Sequence, residues 1–286
     1  MKRIVILTGS ELRHQFMRKA LALIPGISVA ASYCEQPEQT IRQVVTDRNA
    51  PRLQEELDHL NERDRVEKDF FGSFCQLSPD RSNPVTVRKN AINDPEVANH
   101  IIEELSPDLV IAYGCSIIRD PLLSAYDRRF LNVHLGLSPY YRGAGTNFWP
   151  LVNGAPEYVG ATFMHLDAGI DTGEIIHQMR ATVNPGDGPH QIGNRLISEI
   201  ALVYGAVIRA FDQLPPMTQP GKSDSDLYYR NKDYSADAVT TLRGHFRNGM
   251  VDDYLQDFDA RTGNVPLVHN AAVVHELELI KSELSQ

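Results

Sequence analysis

Ile4 to Leu7 form a short β-favouring run that stops at Thr8-Gly9-Ser10, after which Leu12, Phe16, Ala20 and Leu23 recur at helical spacing. Pro25-Gly26 ends that pattern, and Ile27 to Tyr33 reads as a second strand. Two strand-helix units in tandem imply a parallel sheet, so the chain is expected to be α/β with a Rossmann-like, mostly parallel sheet. A glycine turn opening a helix presents backbone N–H groups that suit an anionic group, although a lone glycine there more often only makes the turn.

The remaining pattern continues this alternation. Leu53, Leu57 and Leu60 give one stripe of a charge-rich helix over Pro51 to Phe71, and His59, Arg63 and Glu67 give a second, solvated stripe. Cys75 to Ser82 reads as a loop, Val85 to Val87 as a strand and Pro95 to Leu105 as a helix. Leu109 to Ala112 is a buried strand that runs into Gly114 and the segment Cys115 to Ile118, and a strand C-terminus in an open α/β sheet is where ligands bind. After a helical turn over Pro121 to Tyr126, Phe130 to Val133 forms another strand. A short helix holds Trp149 as a core residue, strands span Tyr158 to His165 and Glu174 to Val183, and an amphipathic helix runs from Gln191 to Phe211. Beyond Leu214-Pro215-Pro216 the composition changes: Pro220 to Asp226 is linker-like and Ala236 to Phe246 is a helix. The expected division is a catalytic domain over 1–213, then a linker and a small, mainly helical C-terminal extension over 214–286, with no strand set long enough for a separate β-barrel.

With 286 residues, 42% of them hydrophobic, the chain can bury a real core. Its three cysteines, Cys34, Cys75 and Cys115, lack paired spacing, which argues against a disulfide framework or structural zinc and for a cytoplasmic protein. The apolar run at the N-terminus is too brief for a signal peptide or a membrane span. A net charge of −9 weakens the case for a nucleic-acid partner.

The chemistry concentrates between Leu131 and Gln178. Asn132 and His134 are one residue apart at a strand end, so their side chains point the same way, with Val133 opposite. Asp171 follows in the turn Ala168-Gly169-Ile170-Asp171-Thr172-Gly173, which leads into Ile175-Ile176. Taken singly, such a His is a hydrogen-bonded structural residue and such an Asp a turn former. Together they supply an amide donor for an oxyanion, an imidazole to move a proton and a carboxylate to fix the imidazole's charge and tautomer. Cys115 has no neighbouring motif that would make it a nucleophile and reads as a small buried residue.

These positions resemble a family. Asn132-x-His134, Leu137-x-Pro139-Tyr140-Tyr141-Arg142-Gly143, Asn153-Gly154, Gly160-Ala161-Thr162 and Asp167-x-Gly169-x-Asp171-Thr172-Gly173 are similar to the formyltransferases that use 10-formyltetrahydrofolate. The likeness is clear over 108–178 and looser over the first strand and helix. It implies Asn132, His134 and Asp171 as the catalytic set, with a folate pocket formed by Cys115, Ser116, Ile117 and Ile118 together with Asp167, Ala168, Gly169 and Ile170. Where the family pattern reads Ser-Leu-Leu-Pro, this chain has Gly136-Leu137-Ser138-Pro139. The resemblance implies attack of an amine on the formyl carbon, with Asn132 and protonated His134 stabilising the oxyanion, a contact worth roughly 3–4 kcal/mol per lost donor. Asp171 would hold His134 charged and help carry the amine's proton. No metal is implied, and a cluster of His134, His165, Asp171 and His177 lacks a local ligand spacing.

The implied co-substrate is 10-formyltetrahydrofolate, and the partner is a small-molecule amine, preferably a nucleotide-linked amino sugar. It is expected to lie near Gly9, Ser10, Tyr141, Arg142 and Gly143, where turn amides and an arginine suit a phosphate, although Arg142 reads equally well as a structural turn residue. Neither nucleic acid nor membrane is expected as a partner, and a homodimer is the oligomer considered. Methionyl-tRNA enzymes resembling the motif carry a C-terminal barrel, and glycinamide ribonucleotide enzymes resemble a shorter chain. A formyltetrahydrofolate deformylase, with water in place of the amine, is the alternative from another class.

Overall fold

The computed structural model describes residues 1–48, 51–215 and 226–285. The linker-like stretch lies outside these residues except for Asp226, as does Pro216. In chain order the elements are β1 (Lys2–Gly9), α1 (Leu12–Leu23), β2 (Ile27–Gln36), α2 (Ile41–Arg48), α3 (Leu53–Leu77) and β3 (Pro84–Arg88). Next come α4 (Pro95–Asn99), which widens over His100–Leu105, then β4 (Leu109–Tyr113), α5 (Leu122–Ala125), β5 (Phe130–Leu135), β6 (Tyr141–Gly143) and α6 (Trp149–Val152). The chain continues through β7 (Gly160–His165), β8 (Ile175–Arg180) and α7 (Pro189–Ala210). It ends with β9 (Leu227–Tyr229), α8 (Ala236–Arg247), α9 (Met250–Gln256), α10 (Phe258–Gly263) and α11 (Ala271–Leu284).

The main sheet has seven strands in the order β3-β2-β1-β4-β5-β7-β8. Pairing is parallel from β3 through β5, and β7 and β8 add antiparallel to that edge. The fold is therefore the mostly parallel α/β sheet that the tandem units imply. Both faces of β1 are buried because its residues alternate between two cores: Ile4 and Ile6 pack with α1 and α7, Val5 and Leu7 with the α4 and α5 side. The strand order reverses at β1, whose neighbours are β2 and β4, and this leaves a crevice over the carboxyl ends of β1 and β4.

Two expectations need correcting. Cys75 to Leu77 is not loop but the last turn of α3, because Phe71 and Cys75 extend its buried stripe one turn further and Phe16 of α1 stacks on Phe71 at 4.5 Å. The region after residue 226 also contributes a strand, since β9 pairs parallel with β6 in a separate two-stranded sheet.

The described C-terminal residues pack directly on the rest. Val273 and Ile280 of α11 are fully buried in the same core as Ile200, Tyr204 and Val207 of α7. Val268 exchanges backbone and side-chain bonds with Gln178 of β8, at 2.8 Å and 3.1 Å. Ile280→Ala is therefore expected to cost about 2–4 kcal/mol. It should shift a single urea transition followed by the fluorescence of Trp149, which lies in α6 rather than α11. A Trp149 transition that stays in place while helical signal is lost would show that α11 unfolds on its own.

Candidate active site

A cleft of about 530 Å³ opens over the carboxyl ends of β4 and β5. Alternation along β5 puts Leu131 and Val133 into the core under α7. Asn132 and His134 border the cleft, as does Asp171 from the turn between β7 and β8. His134 is buried, and its Nδ1 lies 3.3 Å from Asp171 Oδ1. Its Nε2 lies 2.9 Å from the backbone oxygen of Tyr141. A carbonyl oxygen only accepts, so Nε2 carries a proton, and Nδ1 faces the Asp171 carboxylate. The 3.3 Å separation is longer than the roughly 2.8 Å of a tight charge-assisted bond. The Nδ1 side can therefore be shared with an incoming oxygen.

Asp171 is held in its own right. It adopts the left-handed conformation, φ 52°, which Asp tolerates better than most residues. The backbone N–H of Gly143 donates to its Oδ2 at 3.0 Å. The turn around it is compact: Thr172 Oγ1 and the Gly169 N–H both donate to Asp167 Oδ1, at 2.8 and 3.0 Å. A Cβ at Gly173 would stand 1.7 Å from the oxygen of His165.

A buried polar network that local sequence patterns do not reveal lies on the neighbouring strand and the loop after β5. Thr162, opposite His134 in the register, donates to the oxygen of Gly136 at 2.7 Å and accepts from the Ser138 N–H at 3.0 Å. Gln178 Nε2 donates to the Ser138 oxygen at 2.7 Å. The departure at Gly136 has a steric reason, because a Cβ there would come within 2.8 Å of both His134 Nε2 and Thr146 Cβ.

All of Cys115, Ser116, Ile117 and Ile118 border the cleft, as do Asp167, Gly169 and Ile170; Ala168 is not in its lining. Buried Glu35 on β2 anchors the first segment by accepting from the Ser116 N–H at 2.7 Å. Asn93 holds its far end, donating to the Ile117 oxygen at 2.9 Å and accepting from the Arg119 N–H at 2.8 Å. Burial, and then Glu35, push the Cys115 thiol up to about 12. It is therefore neutral and no nucleophile at ordinary pH.

Of the residues expected near the acceptor, only Gly143 borders the cleft; Gly9, Ser10, Tyr141 and Arg142 do not. The His14 ring occupies the space over Gly9, where a Cβ would lie 2.7 Å from it, and Ser10 Oγ donates to Gln36 at 3.1 Å. Tyr141 is buried among aromatic rings, and its hydroxyl accepts from Asn153 at 3.0 Å. Arg142 is buried 3.9 Å from Asp226. His177 lies away from the cleft, accepting from the Asn270 N–H at 3.1 Å. Residues absent from the sequence-based site but present in the lining include His14, His59, His190 and Asn147. They come from three separate helix starts or faces and one loop, with no shared local spacing.

The fold and cleft define a class first: an open α/β sheet with an imidazole-carboxylate pair and a neighbouring amide at the carboxyl ends of its strands. A family model described as formyl transferase matches residues 2–208, and the chain belongs to the formyl transferase family. Over 114 residues it is 38% identical to a methionyl-tRNA formyltransferase of Desulforamulus reducens, a match covering 39% of this chain and 35% of that one. The chain spans between 33% and 57% of the length of three curated relatives it matches. Among solved structures, the N-formyltransferase of Helicobacter canadensis in complex with folinic acid and dTDP-3-aminofucose is similar with a TM-score of 0.53 at 15% identity, over 85% of this chain and 80% of that one. A phosphoribosylglycinamide formyltransferase from Anaplasma phagocytophilum is similar with a TM-score of 0.52 at 16% identity, over 79% and 98% of the two chains. At these identities the structural likeness shows a shared fold.

Proposed function

We propose that this protein transfers the formyl group of 10-formyltetrahydrofolate to the amine of a small metabolite, a nucleotide-linked amino sugar. The observation that carries the reading is the placement of His134 between Asp171 and the Tyr141 carbonyl, beside Asn132, in one cleft. The other residues present fit a flat heteroaromatic co-substrate. Ile117 and Ile170 border the cleft with apolar side chains 61% and 45% exposed, next to backbone amides of two anchored segments. Methionyl-tRNA is the less favoured acceptor because the chain carries a net charge of −9.

In this mechanism the amine nitrogen bonds to the formyl carbon, and the carbonyl electron pair moves onto the oxygen. The Asn132 amide and the charged His134 ring stabilise that oxygen, Nδ1–H being shared between it and Asp171. Asp171 takes the proton that the amine sheds, directly or through water. When the carbonyl re-forms, the bond to the folate nitrogen breaks and that nitrogen receives the proton. Binding both reactants in one cleft supplies the advantage of orientation over free water.

The test is consumption of 10-formyltetrahydrofolate with dTDP-3-aminofucose, other 3-amino and 4-amino nucleotide sugars, glycinamide ribonucleotide and methionyl-tRNA, with product mass checked for one added formyl group. A nucleotide sugar should raise turnover well above the rate with water alone. Equal rates with and without every acceptor would mean a deformylase, and formylation of methionyl-tRNA alone would refute the choice of a sugar acceptor.

A further inference from the structure

Glu35 lies at the end of β2, opposite Gly9 of β1 and Val87 of β3 in the register. Its Oε2 accepts from the Ser116 N–H at 2.7 Å and from Lys89 Nζ at 3.3 Å. Because β1 stands between β2 and β4, the side chain reaches past the end of β1 to hold a residue that follows β4. The carboxylate is buried and does not border the cleft. Ser116 does border it, although the residue is only 8% exposed. The Ser116 hydroxyl is a buried group with no hydrogen-bond partner among the described residues, and Glu35 Oε1 is a buried acceptor in the same condition. One carboxylate oxygen thus fixes the Ser116 backbone, while the Ser116 hydroxyl is not bonded to the other. The segment's far end is tied separately, by Asn93 to Ile117 and Arg119.

We infer that Glu35 is a positioning residue for the formyl-folate co-substrate: it holds the Ser116 backbone so that the Ser116 hydroxyl meets a polar edge of the bound heterocycle. The inference rests on the folate reading of the 115–118 segment and adds the group outside the cleft that sets the segment's geometry. Its physical basis is the accounting of buried polar groups. A buried hydroxyl left unpaired is costly, and a ligand that pairs it gains what the unliganded protein forgoes. A serine hydroxyl both donates and accepts, so it answers either the N–H groups or the ring nitrogens of such a heterocycle. A hydrogen bond of this kind tolerates little displacement, and a backbone anchored at Ser116 itself is the shortest means of preventing it. Glu35 provides that anchor through reach: the bond depends on where Oε2 stands. Its charge is answered by Lys89, which is 38% exposed and lies on the side away from the cleft lining.

The test is calorimetric titration with folinic acid, which needs no turnover, on four variants with thermal scans alongside. Glu35→Asp keeps the charge but withdraws the oxygens by about 1.5 Å, one carbon–carbon bond. Glu35→Gln keeps the reach and an acceptor but removes the charge. Asp should weaken folinic acid about ten-fold, the effect of one buried hydrogen bond, and Gln should bind within about three-fold of wild type. Ser116→Ala should also lose about ten-fold, with Tm not lowered, since its hydroxyl has no partner to lose in the unliganded protein. Adding Glu35→Asp to Ser116→Ala should cost little more, because the carboxylate acts through that hydroxyl. An anchor that merely stabilises the fold predicts the opposite pattern: additive losses, and Ser116→Ala binding as wild type. Wild-type affinity in Ser116→Ala overturns the inference even if the Glu35 variants melt, and so does a folded Glu35→Gln that binds no better than Glu35→Asp. A wild type that binds no folinic acid would instead sink the folate reading, and this inference with it.

Discussion

His134→Ala is expected to lower formyl-transfer turnover by about three orders of magnitude while the protein still folds. The ring is buried at a strand end with Asp171 on one nitrogen and the Tyr141 carbonyl on the other. Its removal deletes the proposed donor beside the developing oxyanion together with the route by which Asp171 acts on it, and because the two act as one unit the combined effect is roughly 10²–10⁴. The structural cost is smaller, roughly 1–3 kcal/mol for leaving the Tyr141 carbonyl without its donor. Asp171→Asn separates charge from shape, because Asn adopts a left-handed φ as readily as Asp and keeps an oxygen for the Gly143 N–H. It should lose turnover nearly as severely, and Asn132→Ala should lose roughly two to three orders. The measurement is kcat with saturating acceptor, alongside circular dichroism and Tm. Wild-type turnover in a folded His134→Ala protein would refute the assignment.

Gly143→Ala is expected to be nearly as damaging from outside the reacting groups. Gly143 has φ 88°, and a Cβ there would stand 2.1 Å from the Tyr229 oxygen. Its N–H is also the donor that holds Asp171 Oδ2. An alanine must push β9 away from β6 or leave its backbone conformation, and either motion moves the carboxylate's anchor. The loss should be roughly 2–4 kcal/mol in urea unfolding, with turnover reduced on the order of 100-fold in the fraction that remains folded. Gly186→Ala is the control, since Gly186 has φ 79° and, among the described residues, nothing lies within 4 Å of where a Cβ would stand. It should cost only about 1 kcal/mol and spare turnover. Equal behaviour of the two variants would mean that the Tyr229 contact and the Asp171 anchor do not matter.

Much of this protein is written in local sequence. The apolar run Ile4 to Leu7, the glycine turn and the helical recurrence after Leu12 are properties of short segments, and they lead to the parallel sheet because period and turn chemistry act over a few residues. The same holds for Asn132 and His134, whose common face follows from the two-residue repeat of a strand. Where local pattern misled, a tertiary contact had intervened: α3 runs on to Leu77 because Phe71 and Cys75 find α1, and β9 exists because β6 offers it an edge.

What only the tertiary structure decided is how distant residues share space. The Gly9 turn suits an anionic group by sequence while more often only making the turn, and the His14 ring fills the space over it, in a crevice that Gly9 forms with Gly114 just past β4. Gly143 is by sequence one of the turn residues expected near the acceptor, yet it is fixed by Tyr229 on one side and Asp171 on the other. His59 belongs by sequence to the charged stripe of α3, yet it is buried against Phe148, His190 and Tyr234, drawn from a loop, the start of α7 and the C-terminal region. Period and propensity describe each segment against solvent or a generic core. Which segments meet, and therefore which polar atoms are left facing a cleft, depends on the packing of the whole chain.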